Sequence, residues 1–316
     1  MDHSLLELRN ISVCFKNRSG FLKAVDDLSL AVNYSEILGL VGESGAGKSI
    51  TGATILGLID PPGQLVGGEI WFKGERIDQS LERKRGCEIS MIFQDPLMSL
   101  NPLRKVGDQM IETILTHKKI SRSKAVLQAK KGLAEVGIDP IRLNAYPHTF
   151  SGGMRQRVVI ALALAPEPSL IIADEPTTAL DVSIQSQILN LLKSLCRERG
   201  TSIILITHDM GVIAQTTHRV GVLYAGRLTE IGKTSEVLSN PKHPYTQGLV
   251  ASTPRIELDS FNKKLFQISG SMPRLDAIPE GCSFHPRCPF AMEKCRTKRP
   301  FMVADRVACW HASREN

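Results

Sequence analysis

Aromatic residues are scarce in this 316-residue chain, with Phe, Trp and Tyr making up 5%. Grooves that hold single-stranded nucleic acid by stacking bases on rings are poorly supplied by such a composition. Long hydrophobic runs are lacking too. The longest, Val158 to Ala165, is far short of the ~20 residues of a spanning helix, which excludes a helical membrane segment. The opening MDHSLLELRN has no basic-then-apolar layout, so no secretory signal is expected. With 42% hydrophobic and 22% charged residues, the chain is not collagen, coiled coil or wholesale disorder. Its length suits one large core or two domains. No internal repeat is visible.

Charge is present but uneven. The formal net charge is +7, and residues 255–316 hold 11 Lys/Arg against 7 Asp/Glu. A basic tail reads either as a site for an anionic partner or as a solvated surface. Of the seven cysteines, Cys14, Cys87 and Cys196 are scattered, whereas Cys282, Cys288, Cys295 and Cys309 share the tail. Without an export signal, such clustering favours a metal site over disulfides.

The patterning is that of alternating strands and helices. Leu6, Leu8, Ile11, Val13 and Phe15 alternate as a strand, with a turn at Asn17–Gly20. Ile37–Val41 is wholly apolar, as in a strand buried on both faces of a parallel sheet. A helix is predicted over Ser49–Leu58 and stops at Asp60-Pro61-Pro62-Gly63. Between Asp95 and Phe150 the chain becomes helical and charged, with Val126, Ala129, Leu133 and Val136 on one face. Strands follow at Leu170–Ala173 and Ser202–Ile206. Between them a helix over Ser183–Arg199 gathers Ile184, Ile188, Leu191, Leu192 and Leu195. Strand–helix–strand order at this spacing points to an α/β parallel sheet.

Between the apolar strand and its helix lies Gly42-Glu43-Ser44-Gly45-Ala46-Gly47-Lys48-Ser49, which matches G-x-x-x-x-G-K-[ST]. Glycines let backbone N–H groups turn toward phosphate oxygens, and the helix N-terminus adds partial positive charge. Lys48 is placed to reach the β- and γ-phosphates, and the Ser49 hydroxyl to ligate Mg²⁺. Downstream, the apolar strand Leu170–Ala173 ends in Asp174 and Glu175. Asp174 is then a Mg²⁺-side carboxylate, and Glu175 a general base that orients the attacking water. The alternative is two exposed acids at a strand end.

Further segments carry a family resemblance. Ser151-Gly152-Gly153-Met154-Arg155-Gln156 looks like the signature motif of ABC transporter ATP-binding subunits, Gln94 like the Q-loop, Thr178-Ala179-Leu180-Asp181 like the D-loop, and His208 like the switch histidine. Phe15 stands where that family places an aromatic residue on adenine, and the phosphate loop with Ile50 completes the ATP contacts. The resemblance covers roughly residues 5–250. Phe150 and Met154 depart from the usual Leu and Gln of the signature, but the Ser-Gly-Gly donors remain. The resemblance implies an α/β P-loop NTPase core of ABC type with an antiparallel β subdomain, a helical insert and a small Cys-rich C-terminal extension. The cassette is expected over residues 1–254, its helical insert at about 95–165 and the extension over 255–316. It further implies that Mg²⁺ is held through Ser49, Gln94 and Asp174. Glu175, His208, Gln94 and Lys48 act catalytically, and Ser151, Gly152, Gly153, Met154 and Gln156 close on ATP held by a second cassette.

Phe93–Pro102, Asn240–Thr246 and Gly281–Pro289 resemble the oligopeptide/dipeptide import branch of the family. That branch implies a bacterial importer with two integral-membrane permease subunits, a second ATPase (a heterodimer favoured over a homodimer) and an extracytoplasmic solute-binding protein. The chain would then lie peripherally on the cytoplasmic face of the inner membrane. Nickel, glutathione and some sugar importers share the branch. The tail spacings C-x5-C, C-x6-C and C-x13-C are wider than the C-x2–4-C of structural zinc sites. Similar tails in this branch are associated with a [4Fe–4S] cluster, which the resemblance implies on Cys282, Cys288, Cys295 and Cys309. Zinc, with His285 or His311 substituting, and no metal stay open. The competing class is an ABC-type ATPase acting on nucleic acid without a membrane partner, against which stand the scarce aromatics and the lack of a long coiled-coil insertion. A module that binds ATP without hydrolysing it is the other alternative, and Glu175 and His208 argue against it.

Overall fold

The structure, a computed structural model, describes residues 4–18, 20–178, 180–253, 266–304 and 306–312. The expected boundary between 254 and 255, Ala179 of the D-loop and Phe261 of the tail lie outside the described residues. Among the described residues ten strands follow in chain order: β1 Ser4–Asn17, β2 Gly20–Asn33, β3 Ile37–Val41, β4 Gly63–Phe72, β5 Glu75–Arg76, β6 Ile89–Ile92, β7 Leu170–Asp174, β8 Ser202–Thr207, β9 Arg219–Tyr224 and β10 Arg227–Lys233. The chain divides into two compact units, Met1–Gln79 with Ile206–Asn316, and Ser80–Leu205.

In the first unit, β2-β1-β4-β5 form an antiparallel sheet. The predicted hairpin is present, with Asn17 opposite Gly20 and Phe15 opposite Leu22. The alternation places Leu6, Leu8, Ile11 and Val13 in the core. Beside this sheet, β3 runs parallel to β9, and β9 pairs antiparallel with β10. All five residues of β3 are buried, as a strand covered on both faces requires. Gly39 admits one of those covers: a Cβ there would lie 2.5 Å from Ile213 Cδ1 of the helix Met210–Thr216.

The helix after the phosphate loop runs Lys48–Ile55, ending three residues earlier than its sequence pattern suggests. The turn that follows carries Gly57 at φ 64°.

In the second unit, β6 pairs parallel with β7, Met91 opposite Ile172. Helices Val106–His117, Arg122–Glu135, Gly152–Leu164 and Val182–Arg199 supply most of the rest. In Arg122–Glu135 the buried face is Ala125, Ala129 and Leu133, so Ala125 replaces the expected Val126. The last helix matches its predicted span to one residue. Ile188, Leu192 and Leu195 are buried, and Ile184 lies against the signature glycine Gly153. Among the described residues no helix is long and apolar enough to cross a membrane.

The described part of the Cys-rich tail builds little core of its own, a cluster of Val307, Cys309 and Ala312. Its main anchor is Phe284, which is 2% exposed and packs edge-on to Tyr224 at 5.2 Å and tilted to Tyr245 at 5.3 Å. Burying a ring of this size contributes about 1.5–3 kcal/mol, and each aromatic pair about 0.5–1.5 kcal/mol more. His243 completes this aromatic group, and burial drives its pKa down to about 3. It is therefore a neutral imidazole, with Nδ1 accepting from the Tyr245 N–H at 3.0 Å. The tail also pairs with the edge of β10, where Ala308 N–H donates to Thr229 O and Ile231 N–H to Arg306 O, each at 2.8 Å.

Candidate functional site

In the first unit the phosphate loop leaves β3 at Gly42 and enters its helix at Gly47. Gly42 is a requirement of space, since a Cβ there would stand 2.3 Å from Leu223 O. Gly47 is a requirement of conformation, at φ 98°. Ser44 and Gly45 are exposed, Ala46 is buried and Ile50 is half-buried. Lys48 is 6% exposed, and its Nζ donates to Gly42 O at 2.7 Å and Glu43 O at 3.0 Å. The ammonium thus rests on the carbonyls of the loop it serves, within the span that would wrap a phosphate. Ser49, at the first turn, is exposed. Phe15 is half-buried on β1, packed so closely that a Cβ on Gly63 would come within 2.6 Å of its ring. His208 is exposed just after β8, ahead of the helix whose N-cap is Asp209.

Two neighbours of the loop have no sequence signal. The Glu43 N–H donates to Tyr245 Oη at 2.8 Å, and Arg287 Nη1 donates to Glu43 Oε2 at 3.1 Å. They lie about 200 and 244 residues further along the chain. Tyr245 falls in a segment that resembles the peptide branch, and Arg287 lies between the tail cysteines. Neither position announces its contact.

In the second unit, Asp174 ends β7 and is 6% exposed. Glu175 follows at φ 46°, a left-handed backbone that costs a non-glycine residue about 1–3 kcal/mol and gathers at functional sites. Thr178 Oγ1 donates to its Oε2 at 2.8 Å. Gln94 is exposed two residues beyond β6. Ser151 caps the signature helix, its Oγ accepting from Met154 N–H at 3.4 Å. Gly152 meets nothing within 4 Å of an added Cβ, whereas Gly153 would meet Ile184 at 2.7 Å. Met154 is half-buried. Gln156 is 2% exposed, and among the described residues its buried Nε2 has no hydrogen-bond partner. Asp181 caps the helix Val182–Arg199, its Oδ1 accepting from Ile184 N–H at 2.9 Å. Within their own units, Ser49 and Asp174 present the hard oxygen donors that Mg²⁺ prefers.

No disulfide joins any of the seven cysteines. The four tail thiols feel one another. Burial pushes Cys282 up to about 11, and Cys295, Cys309 and Cys288 add to the rise. Burial raises Cys288 and Cys309 as well. The Met292 N–H donates to Cys295 Sγ at 3.5 Å. Cysteine sulfur is the donor type of a thiolate-bound cation or cluster. Among the described residues, however, no group of three or more His, Cys, Asp or Glu side chains is arranged to hold a metal ion.

Comparison with known proteins settles the family. The family model for the ABC transporter matches residues 25–178, and that for the oligopeptide/dipeptide transporter C-terminal region matches 229–295. The chain is 46% identical to the dipeptide transport ATP-binding protein DppD of Bacillus subtilis, over 97% of this chain and 94% of that one. The chain belongs to the ATP-binding proteins of the ABC transporters. A second relative of the same cassette family, the oligopeptide transport ATP-binding protein OppD of Salmonella typhimurium, is 46% identical over 94% of this chain and 89% of its own. Among solved structures, the dimeric post-hydrolysis ATP-binding cassette MJ0796 bound to ADP and Pi superposes with a TM-score of 0.65. It is 28% identical and covers 72% of this chain and 98% of its own. The ABC cassette expected from the motifs is therefore the fold, and an ATP-binding ATPase cassette is the activity class.

Proposed function

We propose that this ABC cassette hydrolyses ATP to energise a bacterial importer of dipeptides or oligopeptides. The observation that carries the client is the 46% identity, over nearly the whole chain, to proteins named for dipeptide and oligopeptide transport. The phosphate loop, Gly42 to Ser49, takes the triphosphate, with Ile50 behind it and Phe15 against the adenine. Lys48 leaves its carbonyls for the β- and γ-phosphates. Ser49, Gln94 and Asp174 would hold Mg²⁺, which would supply charge neutralisation to the triphosphate. Glu175 takes a proton from water as the water oxygen bonds to the γ-phosphorus and the bond to the bridging oxygen breaks, giving ADP and phosphate. His208 contacts the γ-phosphate and steadies that geometry. Ser151, Gly152, Gly153, Met154 and Gln156 serve the ATP of a second, different ATPase subunit, with Asp181 at the junction. Closure on ATP and reopening after hydrolysis move two permease subunits, fed by an extracytoplasmic solute-binding protein, from the cytoplasmic face of the inner membrane.

Against a nucleic-acid client stands the engagement of three of the tail's rings, although Phe266 and Phe301 are exposed. Phe284 is buried, Phe290 stacks on His311 at 4.7 Å, and Trp310 lies under Lys294 at 3.4 Å. Rings engaged in this way are not a stacking platform for bases. The test is ATP-dependent uptake of labelled dipeptides and oligopeptides by vesicles that carry the permeases and this chain. Uptake of nickel, glutathione or sugar in place of peptide reassigns the solute. ATPase activity stimulated by DNA or RNA and indifferent to permeases overturns the reading.

The four tail cysteines would hold a [4Fe–4S] cluster, which would supply folding energy to a segment with a small core of its own. The expected result, on protein purified without oxygen, is about four irons and four sulfides per chain, as a [4Fe–4S] cluster contains. Cys288→Ser should lose them along with the visible absorption. Zinc, or no metal, sinks this assignment and leaves the cassette untouched.

A further inference from the structure

The Arg287 guanidinium is drawn into the first unit, its side chain only 7% exposed, and nearly every donor is directed. Nε donates to Ser269 O at 2.8 Å, Nη2 to Gly270 O at 3.3 Å, and Nη1 to Tyr224 Oη at 3.4 Å and Glu43 Oε2 at 3.1 Å. The plane also lies over the rings of Tyr224 and Phe284, at 5.8 and 5.9 Å. The tail therefore grips the arginine through two carbonyls and the Phe284 ring, with the Tyr224 ring of β9 beside it, and presents the remaining charge to the phosphate loop. A second contact runs the same way. Met272 Cγ would stand 3.9 Å from a Cβ on the exposed loop residue Gly45.

Glu43 is the receiving end. It is the only acidic residue of Gly42–Ser49. Among the described residues its Oε1 is buried with no hydrogen-bond partner, and Oε2 accepts from Arg287. Its N–H is fixed by Tyr245, and its carbonyl is one of the two that hold Lys48. A carboxylate inside a loop built for a polyanion repels the ligand unless it is neutralised. A neutralised and anchored carboxylate instead fixes the loop's backbone.

We propose that Arg287 is a positioning residue for nucleotide binding, neutralising Glu43 and holding the phosphate loop through it, so that the Cys-rich tail sets the cassette's affinity for ATP. This rests on Gly42–Ser49 being the triphosphate site. The effect is electrostatic at its root, and that makes it separable from a merely structural role. Arg287→Gln leaves Glu43 charged and unpaired beside the phosphates. Glu43→Gln removes the charge that needs a partner while leaving the tail whole. The double variant has neither charge.

The experiment measures the affinity of the full-length chain for a fluorescent ATP analogue, and the KM for ATP and kcat of the assembled transporter. Arg287→Gln should weaken nucleotide binding by about tenfold or more, as expected for a half-buried charge left unpaired. It should raise KM with little change in kcat. In the Arg287→Gln background, Glu43→Gln should recover most of the lost affinity, so that the double variant binds more tightly than Arg287→Gln alone. Arg287→Lys, which keeps the charge, should fall between parent and Arg287→Gln. Parent-like binding by Arg287→Gln overturns the proposal. A double variant as weak as Arg287→Gln alone also overturns it, because the arginine then supports the tail and not the carboxylate. A parent chain that binds no nucleotide, or binding that survives Lys48→Ala unchanged, removes the triphosphate site and the proposal with it. The loss of the site is thereby distinguished from the loss of the coupling.

Discussion

Glu175→Gln should stop ATP turnover while leaving nucleotide bound. The amide has the shape of the carboxylate but cannot accept a proton from water, and general-base catalysis contributes about 10²–10⁴-fold. The substitution leaves the surroundings intact. Thr178 Oγ1 donates to Oε2 at 2.8 Å, and an amide oxygen accepts that bond equally well. The φ of 46° belongs to the backbone between β7 and the following turn, and glutamine tolerates it no worse than glutamate. Fold stability should therefore change by less than about 0.5 kcal/mol, as for a substitution that removes no packing. The measurement pairs phosphate release by the assembled transporter with equilibrium binding of ATP. A fall of at least 10²-fold in kcat with unchanged affinity is the expected split. Turnover within threefold of the parent would move the base to another residue.

The position of Glu175 shows how far the sequence could be read. An apolar run closing on two acids is visible without coordinates, and the strand Leu170–Asp174 ends where it should. The left-handed backbone at Glu175 is not visible, because glutamate carries no conformational signature for it. It is an outlier imposed by the fold at a place where strain is tolerated for function. The same contrast holds at the signature. A serine before two glycines and an apolar helix announces an N-cap, and Ser151 is one. That Gly153 must be glycine because Ile184 lies 2.7 Å from where its Cβ would be depends on a contact 31 residues away, and no local pattern encodes it. Asp181 was legible as part of a motif and is also the cap of an 18-residue helix.

The tail is the least legible part for a physical reason. Its apolar pattern is weak because it shares a core with β9 and the helix Pro244–Ser252 through Phe284, Tyr224 and Tyr245. Periodicity reports a segment that buries one face of its own element. It is silent where single side chains are inserted into a core built elsewhere. Cysteine spacing survives this loss, since it counts donors and not packing. Arg287 does not, since a lone arginine in a basic tail looks like every other solvated cation until its partner Glu43 is seen 244 residues upstream.

Lys48→Ala should weaken nucleotide binding by about 10²-fold or more, the opposite failure from Glu175→Gln. Lys48 is 6% exposed, and its ammonium is satisfied by Gly42 O and Glu43 O at 2.7 and 3.0 Å. Those carbonyls are a resting place. A triphosphate offers charged oxygens in their stead, and hydrogen bonds to charged groups contribute about 1.5–3 kcal/mol each. Losing one or two of them, with the neutralising charge, weakens ATP affinity by about 10²-fold or more, at 1.4 kcal/mol per decade. The loop itself should survive, because Gly47 O still accepts from the Thr51 N–H and hydroxyl at 2.9 and 2.8 Å, and Gly226 N–H still donates to Ala46 O at 2.9 Å. Lys48→Arg should restore little. The planar guanidinium is wider than an ammonium and meets phosphate as a fork, whereas the buried Lys48 ammonium sits as a point charge against two loop carbonyls. The readout is again affinity against turnover. Lys48→Ala loses both because it acts before the chemistry, and Glu175→Gln loses only the second. A Lys48→Ala chain that binds ATP within threefold of the parent would place the triphosphate elsewhere than on Gly42–Ser49.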